Sequence, residues 1–217
     1  MGPLMDPETS ATEKSASIMN CVGWFLRDDG RLNDSEYLLM RSCEISLRIL
    51  GAEHPDTLTS MSNLASCYRA QCRTAEAAAL EEEVLEKRRR ILGAEHPDTL
   101  RSMGNLASYY WAQGRTAEAA ALQEEVLEKG RRILGAEHPD TLTSMGNLAS
   151  TYWAQGRTVE AAALEEEVLE KCRRILGAEH PDTLTSMGNL ASTYWAQGRT
   201  AQAAALQEKV DKQRQLG

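Results

Sequence analysis

Aromatic side chains are scarce in this sequence. Phe, Trp and Tyr together make up 5% of its 217 residues, and there is a single Phe. Ala, Leu and Glu are abundant instead. This composition is typical of helices that pack through small residues.

Cysteine is also sparse, and its distribution argues against a disulfide framework. The chain has five cysteines, which is an odd number, and no two of them form a Cys-x-x-Cys pair. Disulfide scaffolds use even numbers of cysteines at regular spacings. We therefore expect reduced thiols in a cytoplasmic protein.

Several other features are missing, and each excludes a class of protein. No apolar run approaches the roughly 18 residues of a membrane span, and residues 1–20 lack the apolar centre of a signal peptide. The net charge of −8 argues against nucleic-acid binding as the main role. No phosphate-binding loop and no catalytic constellation can be found, so we predict neither an enzyme nor a cofactor.

The chain does contain an internal repeat. His54, His96, His138 and His180 mark the same position in successive copies, so the period is 96 − 54 = 42 residues. A fixed period of this size predicts a solenoid of units that cannot bury their apolar faces alone. We expect residues 1–8 to be disordered or a cloning remnant, 9–50 to be a divergent capping repeat, and four further repeats at 51–92, 93–134, 135–176 and 177–217. The last copy ends inside a helix, which favours a truncated unit over a polar cap.

Each unit reads as two helices. In 51–92 the first helix begins at His54-Pro55, because Pro is favoured at the first helical position. Its apolar stripe includes Leu58, and a glycine at 114, 156 and 198 ends the equivalent helices in a left-handed conformation. Cys72 replaces that glycine and predicts mild strain. In 9–50 we expect helices at 12–27 and 33–50.

The second helix is predicted to begin with Thr74 as its N-cap. Ala77, Leu80 and Val84 then form its apolar face, while Glu81 and the glutamates after it form a solvated face. Small residues at 77–79 allow the first helix to approach closely.

The motifs Asn-Leu-Ala-Ser-x-Tyr, Gln-Gly-Arg, Ala-Glu-Ala and Leu-Gly-x-x-His-Pro-Asp resemble the tetratricopeptide repeat (TPR). The 42-residue period is similar to that of kinesin light chains and of the C-terminal arrays of NB-ARC and NACHT immune-type receptors. The resemblance covers 51–206 strongly and 9–50 weakly. It implies an all-α fold, an α-solenoid with a right-handed superhelix. One departure is that Glu81, Gln123, Glu165 or Gln207 stands where the family has a bulky residue, so we expect Leu80 and its equivalents to fill that space.

The resemblance also implies a binding groove lined by the first helix of each unit. At about 100° per residue, positions 59, 63, 66 and 70 point away from the apolar stripe. An asparagine amide can bond both backbone groups of a peptide, although Asn63 could equally bond to the next repeat's helix. The groove candidates are Thr59, Arg101, Thr143, Thr185, Asn63, Asn105, Asn147, Asn189, Ser66, Ser108, Ser150 and Ser192.

Two further observations extend this candidate surface. Trp111, Trp153 and Trp195 lie on the flank, where they either pack against a neighbouring helix or offer an exposed aromatic anchor. The repeats at 93–134 and 135–176 differ at five positions, and two of these differences, Arg101 and Tyr109, fall on or beside the groove face. We therefore include both residues among the predicted partner contacts.

The four Glu-His-Pro-Asp clusters contain metal-ligand residue types, but we predict no metal site. Equivalent residues in stacked units lie ~10 Å apart, whereas zinc requires ligands at about 2 Å. The histidines are expected to cap helices or to cover the turn between repeats.

The sequence therefore favours a protein-interaction scaffold that binds a protein or peptide partner in the groove, as the sensor or adaptor array of a larger receptor. The alternative is a structural array that self-associates through its apolar terminal faces.

Overall fold

The computed structural model describes residues 7–216, and every described element is an α-helix. Residues 1–6, most of the segment predicted to be disordered, lie outside the described residues. Pro7 and Glu8 belong to the first helix. The helices are α1 (Pro7–Asp28), α2 (Leu32–Leu50), α3 (Pro55–Ala70), α4 (Thr74–Leu92), α5 (Pro97–Ala112), α6 (Thr116–Ile133), α7 (Pro139–Ala154), α8 (Thr158–Leu176), α9 (Pro181–Ala196) and α10 (Thr200–Leu216).

The chain divides into two compact units, residues 1–114 and 115–217. Unit 1 contains α1 to α5, and unit 2 contains α6 to α10. Within each unit, every helix packs against the next one along the chain. In the part of the chain that the structure describes, no helix combines the length and apolarity needed to cross a bilayer.

The repeated histidines cap the first helix of each pair. His54 Nδ1 accepts a hydrogen bond of 3.2 Å from the backbone N–H of Asp56, and His96, His138 and His180 do the same two residues ahead of their own aspartates. The side chain thereby satisfies one of the N–H groups that a helix start leaves unpaired. The expected capping role of these histidines is confirmed.

The first helix ends as the sequence predicts. Gly114, Gly156 and Gly198 have φ of 75–76°, in the left-handed region that glycine adopts without a steric penalty. Cys72 takes the same conformation at φ 63°, and it is the one residue other than glycine with positive φ in the described part of the chain. The expectation of strain at Cys72 is confirmed.

The predicted N-cap of the second helix is wrong. Thr74 is the first residue of α4, and Arg73 is the N-cap, without a side-chain capping bond. Its guanidinium instead donates to Glu76 at 2.6 and 2.7 Å and to Glu36 of the preceding pair at 2.7 Å. The N-terminus of α4 is therefore fixed by ion pairs along and between helices.

Small and aliphatic residues form the core of each unit, as the predicted stripes require. Leu58, Ala65 and Ala77 are buried in unit 1. In unit 2, one cluster joins α6, α7 and α8, and a second joins α8, α9 and α10. The residues of the first cluster are Ala120, Leu127, Met145, Leu148, Tyr152, Ala161, Val168 and Cys172.

One core position differs from the prediction. Glu81 is 0% exposed, whereas Leu80 is only half-buried. Leu80 packs against the buried cluster of Leu39, Leu64 and Cys67, and the Glu81 carboxylate itself occupies a core position. It can do so because the Ser62 hydroxyl of α3 lies 2.8 Å from both carboxylate oxygens and shares its one hydrogen between them, which offsets part of the cost of burial.

Candidate functional site

Several predicted groove residues of unit 1 already have partners within the fold. Asn63 Nδ2 donates to Asn20 Oδ1 of α1 at 3.1 Å, and Arg27 donates to the Ser66 hydroxyl. Both groups therefore bond to the preceding pair, and not to the following one that the sequence analysis considered for Asn63. Of the other predicted residues in this unit, Arg101 pairs with Asp98 at 2.6 Å, and Ser108 is exposed.

A buried polar network also occupies this face of unit 1. Arg88 of α4 is 2% exposed, and its guanidinium donates to Ser102 Oγ at 2.7 Å, to the backbone oxygen of Asp98 at 3.3 Å and to Thr59 Oγ1 at 3.5 Å. These acceptors belong to α3 and α5, so the side chain of Arg88 joins the two first helices of unit 1.

Glu81 and Asn105 belong to the same network. Burial raises the pKa of Glu81, while hydrogen bonds from Ser62, Ser102 and Asn105 and the charge of Arg88 lower it. Burial also lowers the pKa of Arg88, and the charge of Glu81 raises it. Each ion therefore favours the charged form of the other in a site that disfavours both.

The placement of Tyr109 at the groove was wrong. Tyr109 is 3% exposed, and Cys67, Thr151 and Thr193 at the equivalent positions are also buried. Burial of the side chain, together with the charge of Glu81, raises the pKa of Tyr109. The difference between Tyr109 and Thr151 in the two repeats therefore alters the buried core, and not a surface that a partner could contact.

In unit 2 the predicted groove residues are accessible. Asn147 on α7 and Asn189 on α9 are both exposed, as are Thr143 and Thr185. The threonine hydroxyls donate to the backbone oxygens four residues earlier at 2.9–3.0 Å, and Ser150 and Ser192 do the same at 3.0 Å. Because each hydroxyl hydrogen is already used, these side chains offer acceptor lone pairs to any ligand.

All of these residues except Ser192 line a cavity of about 450 Å³ between α7, α8 and α9. Its walls include Thr143, Asn147 and Ser150 from α7 and Thr185, Ser186 and Asn189 from α9, and α8 contributes Glu165, Val168 and Cys172. A partly apolar cavity of this size with a few convergent polar groups is typical of ligand sites. The cavity therefore brings together six predicted or neighbouring groove residues in one unit.

Glu165 is the functional candidate that the sequence analysis missed. The side chain is 8% exposed, and one of its carboxylate oxygens has no hydrogen-bond partner. Burial raises its pKa, and a hydrogen bond with Thr193 lowers it. Buried polar atoms without a partner are rare and costly in native proteins. A signal was present in the sequence: position 172 carries Cys where the first full repeat carries Arg88.

The flanking tryptophans are half-buried. Trp111, Trp153 and Trp195 are 49%, 50% and 51% exposed. About half of each ring is therefore buried, as packing against a neighbouring helix requires, and the other half is accessible, as an exposed aromatic anchor requires. Such a half-exposed ring is chemically suited to contacting a partner.

The Gln-Gly-Arg motif is structural. Gln155 Nε2 donates to the backbone oxygen of Thr116 at 2.8 Å, and the Arg157 guanidinium lies 3.7 Å from the centre of the Tyr152 ring. The Tyr152 hydroxyl in turn donates to Glu124 at 2.7 Å. The motif thus links α7 to α6 and α8, and equivalent contacts recur at Gln197 and Arg199.

In the described part of the chain, no group of three or more His, Cys, Asp and Glu side chains could hold a metal ion. The imidazoles that suggested one use Nδ1 as a helix-cap acceptor.

Comparison with known sequences and structures agrees with this architecture. Tetratricopeptide repeat profiles match residues 99–140, 141–182, 14–90 and 166–210. None of the curated proteins compared with the sequence matches it.

Solved structures show the same fold over almost the whole chain. A Podosopora anserina protein, a kinesin light chain with nearly identical TPR-like repeats, is 33% identical, with a TM-score of 0.85 over 94% of this chain and 96% of that one. BtubC from P. vanneervenii, at 18% identity, has a TM-score of 0.79 over 96% and 90%. The pilF protein of Pseudomonas aeruginosa, at 14% identity, has a TM-score of 0.68 over 94% and 78%. The NB-ARC and NACHT receptor context has no counterpart among these matches.

The 42-residue helix pairs, the matched profiles and the 33% identical structure agree with one another. The fold is the α-solenoid of tandem helix pairs, a scaffold that generally mediates protein interactions. The chain belongs to the tetratricopeptide repeat family.

Proposed function

We propose that this protein binds an extended segment of a partner protein, and that the first helices α7 and α9 of unit 2 form the contact surface. The observation that carries this proposal is the cavity of about 450 Å³ walled by exposed Asn147 and Asn189. Extended backbone has unpaired N–H and C=O groups, and an asparagine amide can bond both. The protein acts without catalysing a reaction.

The difference between the units supports unit 2 as the binding region. In unit 1 the equivalent amide of Asn63 already bonds to Asn20, and Asn105 is half-buried and lowers the pKa of Glu81. In unit 2 the asparagine side chains are exposed. Release of Asn63 for a ligand would break a hydrogen bond of the fold, which costs about 1 kcal/mol.

The test uses peptides selected from a random display library against the whole protein. Replacing both Asn147 and Asn189 by Ala should lower the affinity for the selected peptides by about tenfold, because two hydrogen bonds of roughly 0.5–1.5 kcal/mol each are lost. Calorimetry measures this affinity. The unfolding midpoint should stay the same, since both side chains are exposed.

The matched control is the double substitution of Asn63 and Asn105 by Ala. It should lower the unfolding midpoint and leave peptide affinity nearly unchanged. Selection of no peptide at all, or equal affinity for the protein and its Asn147/Asn189 variant, would contradict the proposed surface.

A second function, self-association, is favoured by one observation. Ile18, Val22 and Phe25 lie at i, i+4 and i+7 on α1, and they are 63%, 42% and 66% exposed. They form one apolar stripe on that helix, and apolar stripes of this kind commonly meet another chain.

A further inference from the structure

Unit 1 and unit 2 contain the same group of polar residues, displaced by 143 − 59 = 84 residues in sequence. In unit 1 this group surrounds the guanidinium of Arg88. The acceptors are Thr59 Oγ1, the Asp98 backbone oxygen and Ser102 Oγ, and Glu81 supplies the opposite charge.

Unit 2 keeps the acceptors but not the cation. Adding 84 to these positions gives Thr143, Asp182, Ser186 and Glu165, which are identical in type, and all four line the cavity. The position of Arg88 is taken by Cys172, which also lines the cavity. The cavity therefore occupies the place that an arginine side chain fills in unit 1.

Unit 2 also lacks the serine hydroxyl that donates to the buried glutamate in unit 1. In unit 1, the Ser62 hydroxyl shares its one hydrogen between both oxygens of Glu81. The equivalent position in unit 2 is Gly146, which has no donor and which also lines the cavity. Glu165 thus lacks both internal partners, and this explains why one of its oxygens is buried without a hydrogen bond.

The charge and hydrogen-bonding character of the cavity point to a cationic donor. Its charged lining residues are Glu137, Glu165 and Asp182, and among the described residues that line it none is Lys or Arg. Glu137 is already paired with Arg174 at 2.5 Å. The hydroxyls of Thr143, Thr185 and Ser186 donate to backbone oxygens and retain lone pairs toward the cavity.

We propose that this cavity binds the guanidinium of an arginine side chain in the partner segment, with Glu165 as its counter-ion. The proposal rests on the proposed function and names the residue that anchors the segment. A guanidinium has five donors and no acceptor, which complements a site made of carboxylate, carbonyl and hydroxyl oxygens. In unit 1 the planar guanidinium of Arg88 reaches several acceptors at once. The ammonium group of a lysine is a compact point charge, and it does not match that arrangement.

The experiment uses nonapeptides obtained by selection against the whole protein, each synthesised in three forms. The three forms carry arginine, lysine or citrulline at the position that is expected to anchor the peptide. Citrulline is a neutral isostere of arginine. Calorimetry should show that citrulline weakens binding by about tenfold or more, because a charge-assisted bond to a buried carboxylate contributes about 1.5–3 kcal/mol.

Two protein variants locate the site. Glu165→Gln should remove the preference for arginine over citrulline, and it should fold because glutamine already stands at positions 123 and 207. Cys172→Arg should restore the arrangement of Arg88, fill the cavity and reduce affinity for the arginine peptide by about tenfold or more. Glu208→Gln, an exposed change on α10, is the control and should alter neither measurement. Thermal unfolding checks that each variant is folded.

The failures of the two proposals are distinguishable. If selected peptides bind but arginine and citrulline forms are equal, or if the arginine preference survives Glu165→Gln, the arginine site is wrong and the peptide-binding function stands. A preference for lysine over arginine also overturns the guanidinium assignment. If no peptide binds at all, the proposed function fails, and this inference fails with it.

Discussion

Cys72 has a left-handed backbone conformation that is unfavourable for any residue with a Cβ atom. It follows the end of α3 with φ 63°, and the four equivalent positions, 30, 114, 156 and 198, carry glycine at φ 75–79°. A left-handed conformation costs a residue with a Cβ atom roughly 1–2 kcal/mol. Glycine avoids that cost but loses more conformational entropy on folding, roughly 0.5–1 kcal/mol.

The substitution Cys72→Gly should therefore stabilise the protein by about 0.5–1 kcal/mol. The free energy of unfolding from urea titration measures the gain. Cys72→Ala is the control, because it removes the thiol but retains a Cβ atom at positive φ. An equal gain for both variants would show that the thiol, and not the backbone, is the source.

Glu165 predicts a pH dependence of stability. Burial raises its pKa above the ordinary 4.5, so the folded protein holds a proton over a pH range in which the unfolded chain has released it. By linkage, stability falls as the pH rises from the ordinary glutamate pKa to the raised one, and it is constant above that.

Glu165→Gln should remove this loss because glutamine does not ionise. The variant should match the parent protein at pH 4 and exceed it by about 1 kcal/mol at pH 8, the usual cost of a buried group without a partner. Urea unfolding at both pH values, with Glu208→Gln as the control, measures the difference. A constant difference across this range would mean that Glu165 does not titrate there.

Helices α4 and α8 occupy equivalent places in their units, but they carry different side chains at one buried position, Arg88 in α4 and Cys172 in α8. Arg88 of α4 crosses to acceptors on α3 and α5 and lies beside the buried Glu81. Cys172 of α8 belongs to the apolar core cluster, and the polar contact recorded for it is a long one, 3.9 Å from the Ser186 hydroxyl. The two helices have equivalent bounds and the same length of 19 residues, so we attribute the cavity to the shorter side chain at position 172.

Arg88→Met should destabilise unit 1 by about 2–3 kcal/mol, because the buried acceptors on α3 and α5 would lose a charged hydrogen-bond donor. Arg90→Met is the control on the same helix: its partner Glu53 is exposed, and such surface pairs contribute about 0–1 kcal/mol. Chemical denaturation compares the two. Equal losses would indicate that Arg88 acts through packing of its aliphatic stem alone.

For the whole molecule, the net charge of −8 and the apolar stripe on α1 act in opposite directions. Like charge opposes association of copies, whereas exposed Ile18, Val22 and Phe25 favour it.

If self-association is a function, light scattering should show a mass that rises with concentration and increases further at high salt, which screens repulsion. The variant Phe25→Glu should then be monomeric under the same conditions, and Phe25→Leu, which keeps the stripe apolar, is the control. A strict monomer across the concentration series would contradict this second function.

The sequence by itself determined the helix pairs, their period and most of their ends. His-Pro-Asp at each helix start, glycine at each first-helix end and the apolar stripe through Leu58 all act within one helix or one turn. Their effects can therefore be read from local spacing. The resemblance to tetratricopeptide repeats, carried by the same residues, gave the fold class that the comparisons confirm.

Tertiary structure alone decided which of the repeated polar residues remain accessible. Asn63 and Asn147 occupy equivalent positions and are both followed by Leu-Ala-Ser, yet one bonds to Asn20 and the other is exposed. Likewise, only the packing of α3, α4 and α5 shows that Glu81 is buried and that Arg88 crosses to two other helices. These outcomes depend on groups far apart in sequence, because a buried carboxylate is stable only where a neighbouring helix supplies donors or a cation. In unit 2 those donors are missing, and the cavity beside Glu165 is the result.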